Sequence, residues 1–363
     1  MIKGEDKAMN IVSNIAIEKS KGSKLPFVDF NNIQFGKQFS DHMFTADYKD
    51  GEWTNLKISP YEPITLSPAC AAIHYGQAVF EGMKAYKNEE GEIFLFRPEE
   101  NAKRINKSAE RLCMPAVPEE LFMEALKQLI EIDADWVPAI DGCSLYIRPF
   151  IFASEELLGV RPADEYKFMI FTSPVGGYYN DEVHVKIETE YTRASEGGVG
   201  YAKAAGNYAA ALYPAKLGQE QGFRQLIWTD AKEHKYIEES GTMNIMFHIG
   251  DTLLTPFTDL KTTLAGITRD SVLTLAKDLG VKVETRKVSV AEVIEAIKAG
   301  TLKDAFGTGT AATLAQISSI TYEGERYELP PLSSRTLSNE IGQIIQDIKR
   351  GKAVDTHNWI YKI

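Results

Sequence analysis

GGVGYAKAAGNYAAAL, Gly197 to Leu212, carries one charged residue, Lys203. Gly and Ala surround it, and Asn207 and Tyr208 follow. An ammonium in apolar surroundings loses hydration, and its pKa falls. A lysine amine that is partly neutral near pH 7 attacks a carbonyl and forms a Schiff base. The competing reading is a lysine whose stem lies on a small-residue surface while its head reaches water. The sequence on either side decides between the two.

Downstream, Ile237 to Asn244 reads IEESGTMN and offers two carboxylates at a strand end. Alternation puts Glu238 and Glu239 on opposite faces, so that one can face solvent while the other faces a site, and the pattern leaves open which is which. In Leu264-Ala265-Gly266-Ile267-Thr268 a glycine leads into a helix whose first N–H groups attract an anion. Phe306 to Ala311, FGTGTA, places small residues where backbone N–H groups converge on a second anion. Gly307-x-Gly309-x-x-Ala312 also fits the dinucleotide fingerprint, after Ala305-Phe306 and before a plausible helix. That reading needs a second parallel strand ending in an acid, whereas Ile320 to Leu329 reads as a hairpin with its acids in the turn. Two anion seats, a Schiff-base lysine and no metal pattern point instead to pyridoxal 5′-phosphate (PLP). Such a site needs an acid beside the pyridine nitrogen, the part that Glu238 or Glu239 supplies.

Composition narrows the remaining classes. The 363 residues suggest two or three domains. A net charge of -11 sets the chain against nucleic acid and anionic membrane, and no basic patch offsets it. Cys70, Cys113 and Cys143 are scattered and odd in number, and the histidines show no ligand spacing, so neither a disulfide framework nor a metal site is expected. No apolar run reaches membrane-spanning length, and the first residues lack a signal core, so the expected location is cytoplasmic.

The element pattern is mixed. Strands are expected at Ile93 to Phe96, Ser144 to Ala153, Tyr166 to Thr172 and Val183 to Thr192. Helices are expected from Pro98 to about Leu112, from Pro118 on, at Thr268 to Leu279, Val290 to Ala299 and Arg335 to Lys349. Gly250-Asp251 and Glu323-Gly324-Glu325 mark hairpins. Hairpins interspersed with helices indicate α+β. Ser173-Pro174-Val175-Gly176-Gly177 reads as a linker. The expected domains are therefore 1–172 and 183–363, joined by 173–182.

YAKAAGNYAAAL, EESGTMNIMF, LAGITRDSVLTLA and FGTGTAA, in that order, resemble the fold-type IV PLP enzymes, and most of all the branched-chain amino acid aminotransferases. FSDHM (39–43), HYGQAVFEGMKAY (74–86), FRPEENAKRINKSAERLCMP (96–115) and SLYIRPF (144–150) agree, so the likeness runs from about Phe35 to the C-terminal helix. It implies a small N-terminal α/β domain and a larger C-terminal pseudo-barrel domain. It also implies reversible transamination between L-leucine, L-isoleucine or L-valine and 2-oxoglutarate. A D-amino acid aminotransferase or an aminodeoxychorismate lyase of the same fold is the alternative.

The resemblance also assigns roles. Lys203 matches the Schiff-base lysine and Tyr208 the tyrosine on the cofactor's phenolic oxygen. Glu239 matches the acid at the pyridine nitrogen, which selects it over Glu238. Arg104, Ile267, Thr268 and Thr310 match the phosphate contacts. Backbone N–H groups of Thr310 and Ala311 match those on the substrate α-carboxylate. Phe39, Tyr75, Phe80, Tyr178, Thr242 and Met243 match the side-chain pocket. Tyr146 and Arg148 match its rim, where the distal carboxylate of glutamate is received. The tyrosine matching Tyr75 is lent by the neighbouring subunit in the family, which implies a homodimer. Ala312 and Ala315 stand where mammalian members carry a C-x-x-C redox switch, so thiol regulation of that kind is not expected.

Overall fold

Short alternating runs between turn residues give the first half its sheet. The computed structural model describes residues 15–176 and 182–363. Its strands there are β1 (Ala16–Ile17), β2 (His42–Lys49), β3 (Glu52–Pro60), β4 (Ala78–Phe80), β5 (Met83–Lys87), β6 (Ile93–Phe96), β7 (Ser144–Ala153) and β8 (Tyr166–Val175). They lie in the order β1-β3-β2-β8-β7-β5-β6, with β4 against β7. The helices are α1 (Ala71–Tyr75), α2 (Pro98–Arg111) and α3 (Glu119–Ile132). Pro98 fits the first turn of α2, where its missing N–H costs nothing, and Glu99 and Glu100 suit the helix dipole there.

Period-two alternation gives β7 two different faces. Leu145, Ile147 and Ile151 are buried in one apolar cluster with Ile105 of α2 and Leu121, Phe122 and Leu129 of α3. The opposite face of β7 carries Tyr146 and Arg148. Burying a side chain such as Leu129 removes about 1.5–3 kcal/mol of unfavourable hydration, so this cluster fixes which face remains for polar groups.

The second half forms a ring. Its strands are β9 (Val183–Ile187), β10 (Gln225–Thr229), β11 (Tyr236–Ser240), β12 (Met243–Ile249), β13 (Thr252–Thr255), β14 (Lys282–Thr285), β15 (Val288–Ser289), β16 (Leu302–Gly309), β17 (Thr313–Tyr322) and β18 (Glu325–Glu328). The path β12-β16-β17-β9-β10-β11 closes on itself through a β11–β12 pairing, with Glu239 opposite Asn244. Closure leaves those six strands without an open edge. Val185, Ile187, Ile227, Ile245, Phe247, Ala305 and Ile317 build the buried cluster of this ring. The helices are α4 (Ala205–Glu220), α5 (Ile267–Asp278) and α6 (Val290–Lys298). Ser289 caps α6 by accepting from the Glu292 N–H at 3.1 Å.

The chain ends in α7 (Thr336–Lys349) and β19 (Ile360–Lys362), which pairs antiparallel with β6. Lys349 is 3% exposed, with its ammonium 5.0 Å from the Phe96 ring and 5.6 Å from the Tyr86 ring. Contacts divide the chain into one unit of Met1–Gly177, Ala202–Ala205 and Asp347–Ile363, and another of Tyr178–Tyr201 and Gly206–Gln346. The expected split into 1–172 and 183–363 departs from these contacts at two places. Ala202–Ala205, which include Lys203, and the chain from Asp347 on belong with the first unit.

Three local expectations are corrected. Strand β8 continues through Ser173, Pro174 and Val175, where a linker was expected. The ladder with β2 ends at Met43–Phe171, so Pro174 lies beyond the reach of that neighbour and withholds no needed N–H. Strand β9 stops at Ile187 because the buried Glu188 carboxylate takes the N–H groups of Thr189, Glu190 and Tyr191 and turns the chain out of the ladder. After Gly307-x-Gly309 comes no helix but β17, antiparallel to β16. That excludes the dinucleotide geometry.

Candidate active site

In the first unit, three elements meet at Lys203. Val79 bridges to Ala204, the Phe80 N–H donates to the Lys203 carbonyl at 3.1 Å, and the Lys203 N–H donates to Ser108 Oγ at 2.9 Å. The main chain of Lys203 is thus held at both its N–H, by a serine hydroxyl, and its C=O, by a backbone N–H. Its ammonium lies 4.8 Å from the centre of the Phe80 ring, and the Arg148 guanidinium lies 4.6 Å from the same ring. Arg148 also donates to the Tyr146 hydroxyl at 3.0 Å, while its Nε is buried without a hydrogen-bond partner. Lys203, Phe80, Arg148 and Tyr146 therefore form one connected group.

Arg104 makes a fork onto Glu81, with Nε donating to Oε1 at 2.7 Å and Nη2 to Oε2 at 2.8 Å. Glu81 is 0% exposed and also accepts from Asn101 Nδ2 at 2.8 Å. Asn101 and Arg104 are one turn apart on α2, so one helix face supplies both donors. Burial works to raise the Glu81 pKa, but Arg104, then Lys203 and Asn101, hold it below the ordinary carboxylate value. The sequence reading missed Glu81. Its signal was a lone carboxylate in the otherwise uncharged run from Ala71 to Met83.

The remaining first-unit candidates lie in two places. Phe39 stacks on Tyr61 with ring centres 4.8 Å apart and meets Phe171 edge-on at 5.6 Å. Tyr75 sits at the exposed end of α1, where its hydroxyl donates to the Leu158 carbonyl. Tyr178 lies outside the described residues.

In the second unit the centre is Glu239, 3% exposed. Its Oε1 accepts from the Leu264 N–H at 2.7 Å and from Asn244 Nδ2 at 3.5 Å. Its Oε2 stands 3.3 Å from Arg193 Nε, an ion pair whose angle is too poor for a hydrogen bond. Arg193 is anchored in turn on the carbonyls of Thr262 and Gly200. Asn244 also donates to the Leu264 carbonyl at 2.8 Å. A Cβ at Gly266 would fall 2.0 Å from the Asn244 Oδ1, so glycine is required there for the network to exist. Sequence reasoning missed Arg193 and Asn244, since neither stands in a spacing that predicts contact with Glu239.

Gly266 is also the N-cap of α5, with Ile267 and Thr268 in its first turn. Thr310 and Ala311 form the β16–β17 turn between the paired Gly309 and Thr313, and Thr242 forms the β11–β12 turn next to Met243. Met243 lies across β16: a Cβ at Gly307 would be 2.7 Å from its Cε, and one at Gly309 3.1 Å from its Cγ. The two glycines of the apparent fingerprint thus make room for a methionine. Thr308 Oγ1 is buried there without a partner. Tyr208 is half-buried on α4, and the neighbouring Asn207 donates to the Val199 carbonyl at 3.0 Å.

Each unit by itself offers groups that suit PLP. The first has a lysine amine on a fixed main-chain seat and an arginine held in a fork; the second has a buried carboxylate with its own arginine and a glycine-led helix start. Among the described residues no group of three or more His, Cys, Asp or Glu is placed to hold a metal, and no helix is long and apolar enough to cross a membrane.

Residues 78–320 match the family Amino-transferase class IV. The chain is similar to branched-chain-amino-acid aminotransferase 2 of Bacillus subtilis, 44% identical over 345 residues, covering 94% of this chain and 95% of that one. It is similar to branched-chain-amino-acid transaminase 1 of the same organism, 44% identical over 340 residues, covering 92% and 95%. Its fold is similar to the crystal structure of the Escherichia coli branched-chain amino acid aminotransferase, with a TM-score of 0.70, 25% identity and coverage of 88% and 98%.

Proposed function

Since the chain belongs to the class IV aminotransferases, and within them to the branched-chain-amino-acid aminotransferases, we infer that it catalyses branched-chain transamination. It is a PLP-dependent enzyme that moves the amino group reversibly between L-leucine, L-isoleucine or L-valine and 2-oxoglutarate. The D-amino acid aminotransferase and aminodeoxychorismate lyase readings fall behind, because relatives alike over more than nine-tenths of the chain are branched-chain enzymes.

The observation that carries the reading is Glu239, a buried carboxylate fixed by a main-chain N–H and an arginine. An anion kept in place in this way holds a proton on a pyridine nitrogen beside it. Bound PLP supplies an electron sink conjugated to the substrate α-carbon. Lys203 holds the cofactor and moves the proton at the substrate Cα. Tyr208 donates to the phenolic oxygen. Arg104, the α5 start at Ile267 and Thr268, and the Thr310 hydroxyl hold the phosphate. The N–H groups of Thr310 and Ala311 receive the α-carboxylate.

Phe39, Tyr75, Phe80, Thr242 and Met243 form the apolar pocket, to which the resemblance adds Tyr178. Such a pocket discriminates by only about 1–3 kcal/mol per methylene, so leucine, isoleucine and valine should all be accepted. Tyr146 and Arg148 receive the distal carboxylate of glutamate, a role supported by the buried, unpaired Arg148 Nε. The exposed Tyr75 supports a homodimer in which each subunit lends this ring to its neighbour. The enzyme works in the cytoplasm.

The test is the visible absorption of the purified protein. A yellow band that bleaches with L-leucine and returns with 2-oxoglutarate is the expected result. A band indifferent to L-leucine would overturn the substrate, and no band after incubation with PLP would overturn the cofactor role of Lys203.

A further inference from the structure

Strand β11 carries a second carboxylate that the reaction does not use. Glu238 precedes Glu239 and faces the other side of the strand. It is 7% exposed, and its Oε2 has no hydrogen-bond partner. A buried acceptor without a donor costs about 1–3 kcal/mol, and a charged one more, so its retention calls for an explanation.

Glu238 lines a cavity of about 510 Å³ that lies wholly in the second unit. The volume is in the range of small-molecule sites, about 300–1,000 Å³. Pro256, Phe257 and Leu260 supply apolar wall, and Tyr236 and Lys287 stand at the same cavity. Two other charged groups of the wall, Asp230 and Lys287, already have contacts, and Glu196, Lys232 and Glu233 also line it. Asp230, also on the wall, accepts the N–H groups of Glu233, Lys235 and Tyr236. The Lys287 ammonium lies 4.9 Å from the centre of the Tyr236 ring. Arg193, whose charge also acts on Glu238, is paired with Glu239. Burial pushes the Glu238 carboxyl up from its ordinary value, and a bound cation would reverse that.

We propose that this cavity is a second ligand site, in which Glu238 receives the ammonium of a small aliphatic amine or amino acid. The apolar wall at Phe257 and Leu260 takes the aliphatic body. Lys287 separates the two sources, since only an amino acid brings a carboxylate for it.

The probes are N,N-dimethyl-3-methylbutylamine and N,N-dimethyl-L-leucine. As tertiary amines they donate one N–H to a carboxylate but cannot condense with a carbonyl, so they bypass the chemistry of Lys203. Each is titrated calorimetrically near pH 7.5 into the purified protein after incubation with PLP, whether or not a visible band forms. Saturable binding is expected, weakened about tenfold or more by Glu238→Gln, because a hydrogen bond to a charged acceptor is lost. Leu260→Trp, which fills the wall side, should weaken it independently of charge. If Lys287→Ala weakens the leucine derivative and spares the amine, the natural ligand is an amino acid; equal effects on both identify a plain amine. No binding of either probe, or binding that both Glu238→Gln and Leu260→Trp leave unchanged, would overturn the site. A missing visible band would count against PLP and Lys203 and leave this titration intact.

Discussion

Replacing Glu81 by Gln keeps the shape of the side chain and removes its charge. The Arg104 side chain is 12% exposed and that of Glu81 0%, so solvent screens this pair little. Removing one partner of a buried pair costs about 3–5 kcal/mol, chiefly because the other charge is left uncompensated. Gln retains one acceptor for the guanidinium, which places the cost near the lower end, about 3 kcal/mol. For a unit of roughly 200 residues each kcal/mol lowers the melting temperature by about 2–4 °C, so the drop should be roughly 6–12 °C. The assay is thermal unfolding followed by circular dichroism at a series of pH values. The folded pKa of Glu81 is below its ordinary value of 4.5, so its contribution is complete above that value and fades as pH falls below it. The gap between wild type and variant should therefore be constant from pH 7 to about 5 and narrow only in more acid solution. Coincident melts at pH 7 would refute the reasoning. So would a gap that is already closing between pH 7 and 5.

Three further outcomes are expected. Lys203→Ala should lose the visible band and all transamination while its circular dichroism stays native; turnover at the wild-type rate would remove the residue from its role. Arg193→Leu deprives Glu239 of its cation and should lower kcat/KM about tenfold or more, with an unchanged value counting against the ion pair as functional. Lys349→Met should stabilise the protein. Burial, followed by the Lys84 charge, depresses the Lys349 pKa to about 7 from 10.5, so the unfolded chain binds the proton more tightly across that interval. The gain should be largest at pH 7 and below, on the order of a few kcal/mol, and should vanish as pH rises toward 10.5. Melts that show no gain at pH 7 would sink that account.

Local pattern made the elements legible, and long-range pairing was not. The apolar spacing of α3 and the turn residues at Gly250-Asp251 carry their own geometry, so the helix and the β12–β13 hairpin could be read directly. Ring closure through Glu239 opposite Asn244, and the seat of β19 on β6, depend on partners that local sequence does not name. Pro174 misled because a proline breaks a central strand but not a strand whose neighbour has already ended. Glu188 misled because one carboxylate can draw three N–H groups out of a ladder. The glycines at 307 and 309 looked like a phosphate loop because absence of a side chain reads alike in sequence, whether the space admits a ligand or Met243. At the candidate site, long motifs flagged Lys203, Arg104 and Glu239. Glu81, Arg193 and Asn244 act through contacts on those residues, and no spacing rule links them.

The way contacts divide the chain bears on how it is made. A ribosome delivers β6 early, yet the strand that covers its free edge, β19, is built from residues 360–362. Until the whole second unit has been synthesised, the Phe94–Phe96 edge presents unpaired main chain to any other strand nearby. The first unit is therefore completed only after the second, and until then the nascent protein carries an adhesive border. A chain stopped at Gln346 keeps Lys203 and every residue around it but leaves that border exposed for good. Premature termination there should produce aggregates, not a shortened enzyme.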